Sequence, residues 1–459
     1  MKSFYFVLFF VLFFVRDVYG QKCSFVTQRL QCGEFACDIQ RGVCALCNKS
    51  SNCYPDAMRC VEGKCVVGSL SSNLSFLSIL AMVCAFGVCA IGVVAGVGGG
   101  GVLVPMFCAL MKLPITAAVG LSQSTICGQS TLNMIFAVGK RYPDPHFSRP
   151  LINYQYVTLL IPLGVIGTLI GGILSKICPD LLRLILLFLL LVFVLYRTVM
   201  KMIAQYRKDQ YREDVVVSNA SPPEEEVSRE NTGNSTFSQP QFPQLEITCI
   251  LISFFVTVIF NALRSKSVCG DVLYIFSYLM PILINAIMFF WYRWRLSCME
   301  KSSLTFLWNN RTTVLFPLVA LIAGGAAALL GIGGGLVLGF VLYEAELIPE
   351  EASVTGGMVT FFLSFSTAIN LLIEGHLLID YGIVLFAVGM ASTALGQFCF
   401  MREIKKRNLG YLIIASLATI IGGSLLVLTI YGIYNAVVVV RTGGSIMDVG
   451  RVCPSREKH

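Results

Sequence analysis

Charge is scarce in this chain. Only 13% of its 459 residues are Asp, Glu, Lys or Arg, against about 25% in a soluble domain. With 56% hydrophobic residues and a mean hydropathy of +0.76, no single aqueous core could hide the apolar surface. The chain reads as an all-α polytopic membrane protein whose first partner is the lipid bilayer. The formal charge of +8 does not mark a nucleic-acid partner. The basic residues sit in short loops beside apolar runs, as Arg402, Lys405, Lys406 and Arg407 do, which fits topogenesis. Also lacking are HExxH, a nucleophile elbow and any clustered His/Cys/Asp set within the apolar runs. The reading is therefore not an enzyme, with no catalytic residue, metal site or cofactor expected. No carboxylate chain inside the runs marks a proton relay. Arg183 stands a few residues into its run and reads as a side chain that snorkels to the interface.

What is present begins with a leader. Residues 1–20 carry Lys2, an apolar stretch and Gly20 before Gln21, the pattern of a signal peptide. A short first membrane helix is the other reading. Residues 21–72 then hold Cys23, Cys32, Cys37, Cys44, Cys47, Cys53, Cys60 and Cys65. Eight cysteines behind a signal peptide predict a small disulfide-rich module, with connectivity left open. Cys44 and Cys47 are alternatively spaced as a redox or zinc pair. Asn48-Lys49-Ser50 is a glycosylation sequon, consistent with an extracytoplasmic face. The secretory pathway follows, at the plasma membrane or an endomembrane.

Apolar runs long enough to span lie near 74–111, 115–138, 153–175, 180–203, 245–263, 271–292, 314–342, 353–373, 379–400 and 409–433. Ten simple crossings would return the C-terminus to the side of the cysteine module. Lys140, Arg141 and Arg149 would then fall on that same side, against the positive-inside tendency. Residues 204–246 are polar and proline-containing and read as a flexible linker. They part a first membrane unit, 74–203, from a two-span insert, 247–295, and a second unit, 314–433. A tail, 434–459, closes the chain.

The two units are related. Setting Gly96 against Gly331 and reading thirty residues without a gap gives ten identities, four of them glycines and one a proline, Pro114 against Pro349. Chance would give roughly two or three at ordinary residue frequencies. The expected architecture is two homologous four-span repeats; their relative direction stays open, because a re-entrant segment would invert one against the other.

The runs GVGGGG at 96 and GIGGG at 331 sit in the two longest apolar stretches. A nucleotide loop would need a strand before and an aqueous site, which these flanks exclude. Small residues for close helix packing explain Gly164, Gly171, Gly172, Gly389 and Gly396. Four glycines in five positions instead suggest a helix broken near the bilayer midplane. The second half-helix would then offer free N–H groups and the positive end of its dipole. Two such breaks point to a transporter site for an anion. The candidate substrate-binding residues are Gly98, Gly99, Gly100, Ser122, Ser124, Thr125, Gly333, Gly334, Gly335 and Thr360. The hydroxyls have a second reading, local bonds to their own helix carbonyls.

The doubled G-[IV]-G-G-G, the downstream proline and alanine, and Ser/Thr in the next helix resemble the sulfite exporter TauE/SafE family. The resemblance covers most of 75–202 and 314–433. The cysteine-rich leader and long insert look like its eukaryotic members. It implies export of sulfite or small organosulfur anions. Copy one keeps the family proline at Pro105, whereas copy two has Phe340 there and Gly357 in place of the serine. A membrane-anchored receptor, using the cysteine module to hold a partner, is the alternative function.

Overall fold

The computed structural model describes residues 32–441 except 33–34, 39–42, 54–56, 73, 95–98, 143–148, 218–239, 269, 301–303, 345–346 and 402–410. The expected signal peptide, Cys23, Gly98 and the tail beyond Arg441 lie outside the described residues. Among the described residues the protein is all-helical apart from a small N-terminal module, and eight helices are long and apolar enough to cross a membrane.

The module is two antiparallel hairpins. Strands β1 (Ala36–Asp38) and β2 (Val43–Ala45) pair, as do β3 (Met58–Val61) and β4 (Lys64–Val67). Disulfides join Cys32 to Cys44, Cys47 to Cys60 and Cys53 to Cys65, and Cys37 is also disulfide-bonded. Cys44 and Cys47 thus take different partners, which overturns the alternative of a redox or zinc pair. So few strands bury little apolar surface, and cross-links supply the stability that a core would.

The membrane part contains helices α1 (Phe76–Val94), α2 (Gly100–Met111), α3 (Ile115–Val138), α4 (Tyr154–Ile177) and α5 (Asp180–Val217). The insert is α6 (Gln244–Lys266) and α7 (Val272–Cys298). Then come α8 (Phe316–Leu330, preceded by a π-helical turn Arg311–Leu315), α9 (Gly335–Glu344), α10 (Pro349–Ile373), α11 (Ile379–Leu395, extended by a π-helical turn Gly396–Met401) and α12 (Tyr411–Arg441). α5 runs well into the stretch expected to be linker. Its residues 201–217 are rich in Lys, Arg, Gln and Glu, good helix formers. At 38 residues it is about 57 Å long, against a hydrocarbon thickness of about 30 Å.

Contacts between glycines and neighbours fix the directions. Gly120, early in α3, lies beside His376 and Leu377, just past the end of α10. Gly357, early in α10, lies beside Asn133, late in α3. The two equivalent helices therefore run antiparallel. By contrast α4 and α8 run parallel, with Gly164 near Ala320, Gly167 near Leu321 and Gly171 near Ala328. α11 likewise follows α1, Gly396 lying beside Ala90 and Val93.

One consequence concerns the long apolar runs. α2 begins level with Ile126, the middle of α3, and ends in a three-residue turn leading to the start of α3. It therefore returns to the end from which α1 came. α9 does the same from the other end: Gly335 is level with Thr360, and Leu342 lies beside Gly356, near the start of α10. Each glycine-containing run is thus a re-entrant hairpin and not a crossing. Outside the two hairpins, the described helices α3 to α7 and α10 to α12 run from end to end, while the first limbs α1 and α8 are themselves long and apolar enough to cross. The expectation of ten simple crossings is corrected by this geometry, because hydropathy measures the length of a run and not its direction.

The module sits at one end, where Tyr381 Oη donates to Gly68 O and Ala57, Val67 and Leu70 pack on the membrane core. We name this the near end. Lys140, Arg141 and Arg149 then lie at the far end, together with the π-helical turn carrying Arg311 and the last turns of α7 carrying Arg293 and Arg295. At the far end Arg149 forks onto Glu351, with Nη1 to Oε1 at 2.6 Å and Nη2 to Oε2 at 3.1 Å; Asn153 Nδ2 adds a third bond to Oε1. At the near end Lys176 and Arg264 both pair with Glu374 at 3.0 Å, joining the insert to α4 and α10.

Candidate substrate site at the paired glycine tips

Both tips demand glycine. Gly99, which caps the start of α2, has φ +60; Gly331, Gly333 and Gly334 have φ +76, +73 and +69. L-residues rarely take such values. Gly99 and Gly334 each immediately precede a half-helix, at matched positions in the two runs.

The tips meet each other. A Cβ on Gly100 would stand 2.8 Å from the carbonyl carbon of Ile332 and 2.9 Å from Gly331 O. It would also stand 2.7 Å from Ile126 Cδ1, and a Cβ on Gly333 would meet the same atom at 2.7 Å. Ile126, midway along α3, is wedged between the tips. The positive ends of α2 and α9 therefore converge near the middle of the helical bundle.

α3 packs against both tips and is polar for a membrane helix. Every residue from Ala117 to Ser130 is buried, so none of this polarity faces lipid. Ser122 Oγ donates to Gly331 O at 2.8 Å, a bond from the first unit to the tip of the second. Gln123 Nε2 donates to Ala327 O at 2.8 Å, in the last turn of α8, where that carbonyl also accepts the capping Gly331 N–H at 3.0 Å. Gln129 Nε2 donates to Cys89 O at 3.0 Å, near the end of α1. Ser124 Oγ donates to Gly382 O at 2.7 Å in α11. Thr125 and Thr360 each donate to the carbonyl four residues back, Leu121 O and Gly356 O.

The candidate residues thus divide. Gly99, Gly100, Gly333, Gly334, Gly335, Ser122 and Thr360 surround the tip contact; Gly335 abuts the Thr360 side chain directly. Ser124 faces α11 instead, and Thr125 turns back on its own helix. Gln123, Gln129 and Ile126 belong to the site as well. A glutamine in an apolar run was a legible signal, because polar groups in spans bond across helices; nothing in the sequence singled out Ile126. Gly357 also acquires a reason: a Cβ there would lie 2.7 Å from Asn133 Nδ2 of α3, so a serine would have to push that amide aside. No side chain named at the tips carries a formal charge.

Comparisons with known proteins point to one family. The defining pattern of the family described as "Sulfite exporter TauE/SafE" matches residues 79–232. Sulfite exporter TauE/SafE family protein 3 of Arabidopsis thaliana is 25% identical over 377 residues, covering 76% of this chain and 77% of that protein. Over these residues the chain resembles the sulfite exporter TauE/SafE family. Family protein 1 of the same plant is 21% identical over 387 residues, 79% of this chain and 85% of its own length. Family protein 5 is 22% identical over 390 residues, 78% and 84% respectively. The alignments reach well past the matched first unit, so the TauE/SafE likeness spans most of the chain. No solved structure matches. The likeness supports a multi-pass membrane transporter rather than an enzyme.

Proposed function

We propose that the protein exports a small oxyanion, sulfite or an organosulfur anion, by opening and closing the contact between its glycine tips. The observation that carries this reading is the meeting of Gly100 with Gly331 and Ile332 in mid-bundle. Two half-helix N-termini there supply N–H groups and positive potential without a charged side chain. Such a site binds an anion yet releases it, which a buried lysine would hinder.

The binding groups in this reading are the N–H groups of Gly98 to Gly100 and Gly333 to Gly335, with Ser122, Ser124, Thr125 and Thr360. In the tip-closed arrangement the hydroxyls are occupied by carbonyls. Ser122 is the one whose bond must break when the second tip moves, so it links substrate binding to opening. The two units, 74–203 and 314–433, are read as one ancestral unit duplicated and inverted. Each has a re-entrant hairpin and three crossings, and an odd number of crossings turns the second copy over. The two-span insert 247–295 leaves that inversion unchanged. Inverted repeats with broken helices at their interface are a transporter architecture.

Disulfides favour an oxidising compartment for the module. The near end is therefore read as lumenal or extracellular, the far end as cytoplasmic, in a membrane of the secretory pathway. Lys140, Arg141, Arg149 and Arg311 then face the cytoplasm, as the positive-inside tendency requires.

The test is flux into liposomes holding the purified protein, comparing sulfite, sulfate, thiosulfate and a simple sulfonate, with Gly99→Leu as the inactive control. Saturable flux of one anion, lost in the variant, supports the reading. A folded protein that moves none of them under an imposed gradient refutes it.

A further inference from the structure

Arg183 does not snorkel. It lies in the first turn of α5 at the near end and is 2% exposed. Its Nη1 pairs with Asp180 at 3.4 Å. Among the described residues its Nε and Nη2 have no hydrogen-bond partner. Those two nitrogens form the side-on edge of the guanidinium, where two parallel N–H bonds match two oxygens of one oxyanion. A buried charge with its better edge empty is costly.

The surroundings also suit an anion. Asp180 is 42% exposed at its side chain, but its Oδ1 facing Arg183 is buried and, among the described residues, makes no hydrogen bond, so it holds Arg183 through one long ion pair at 3.4 Å. Burial pushes the neighbouring Cys178 thiol up to about 11, with Arg183 pulling the other way, so the thiol is neutral and does not compete as an anion. The N-terminus of α5 adds its dipole. The cluster lies at the near end, where α5 begins, and the returning limb α2 of the first hairpin ends at that same end.

We propose that the Nε–Nη2 edge of Arg183 binds a small oxyanion at the near end, a second site apart from the tips that receives the transported anion after it leaves them. That this anion is the transported one rests on the transport reading; the site itself does not.

The experiment is calorimetric titration of the purified full-length protein with sulfite, run beside sulfite flux in liposomes. Arg183→Lys keeps the charge and removes the fork, and should weaken one class of sites at least tenfold while Gly99→Leu leaves that class in place. Asp180→Asn removes the competing carboxylate and should tighten the same class several-fold, a gain that a merely structural arginine would not produce. Affinities within twofold of wild type in both variants overturn the proposal, as does a wild type that binds no sulfite. If Arg183→Lys does not fold, the Asp180→Asn titration decides alone. Arg183-dependent binding without flux leaves the site standing and refutes transport; flux that is indifferent to both variants, with unchanged binding, refutes the site and leaves transport standing.

Discussion

Gly100→Ala is the sharpest perturbation of the tip contact. The new methyl would meet three atoms at once, 2.7 Å from Ile126 Cδ1, 2.8 Å from the Ile332 carbonyl carbon and 2.9 Å from Gly331 O. Ile126 can rotate away, but the two backbone atoms belong to a tip held by left-handed glycines and by the Ser122 bond. The tips must therefore separate by several tenths of an ångström. Overpacking of this kind costs about 1–3 kcal/mol. Taken wholly from the tip-closed arrangement, that is roughly a 5- to 150-fold change in its population. The assay is thermal unfolding of the detergent-solubilised protein together with saturable sulfite flux. Gly100→Ala should lower both, and adding Ile126→Ala should not restore them, because the backbone clash persists. Gly87→Ala is the control: nothing lies within 4 Å of a Cβ there, and in mid-helix the substitution should be neutral or stabilising by up to about 1 kcal/mol. Wild-type flux and stability in Gly100→Ala would refute the claim that the tips touch. Rescue by Ile126→Ala would show that side-chain packing alone, and not tip-to-tip contact, explains the glycine.

Other expectations follow from the same contacts. Glu351→Gln leaves partly buried Arg149 without its counter-charge and should destabilise the protein by up to about 3 kcal/mol, read as a lower unfolding temperature. Ser122→Ala removes the bond to Gly331 O and should cost about 0.5–1.5 kcal/mol in thermal unfolding while altering flux; Thr131→Val, outside the proposed binding groups, loses a bond to Cys127 O within its own helix and should leave flux near wild type. Cys53→Ser opens the disulfide to Cys65 and should destabilise the module by about 2–4 kcal/mol, seen as protease sensitivity confined to residues before Phe76, with flux unchanged.

Much of this protein was legible in order along the chain. The apolar runs marked the helices because a bilayer demands some twenty apolar residues whatever the neighbours are. The doubled glycine runs marked the tips because a backbone with φ near +70 leaves little choice of residue. The cysteines marked the module, though not its pairing, since spacing along the chain does not say which thiols come within bonding distance in space.

Other features waited on the fold. The run at 115–138 reads as a span that carries Ser, Thr and Gln, and only the burial of α3 from Ala117 to Ser130 explains them. Gly357 looked like a lost serine until Asn133 was found in its place. Arg183 looked like a snorkelling cation, because one turn from a helix end places a long side chain within reach of water; packing at the near end closed that route.

The sequence by itself determined which segments are helical, where they break and that the two units match, because these depend on properties of a residue and its near neighbours. The tertiary structure alone decided that each broken run turns back, that the units oppose one another and that their tips touch. Those outcomes depend on which glycine faces which backbone across the bundle, and hydropathy along one chain carries no record of the partner that fills the space.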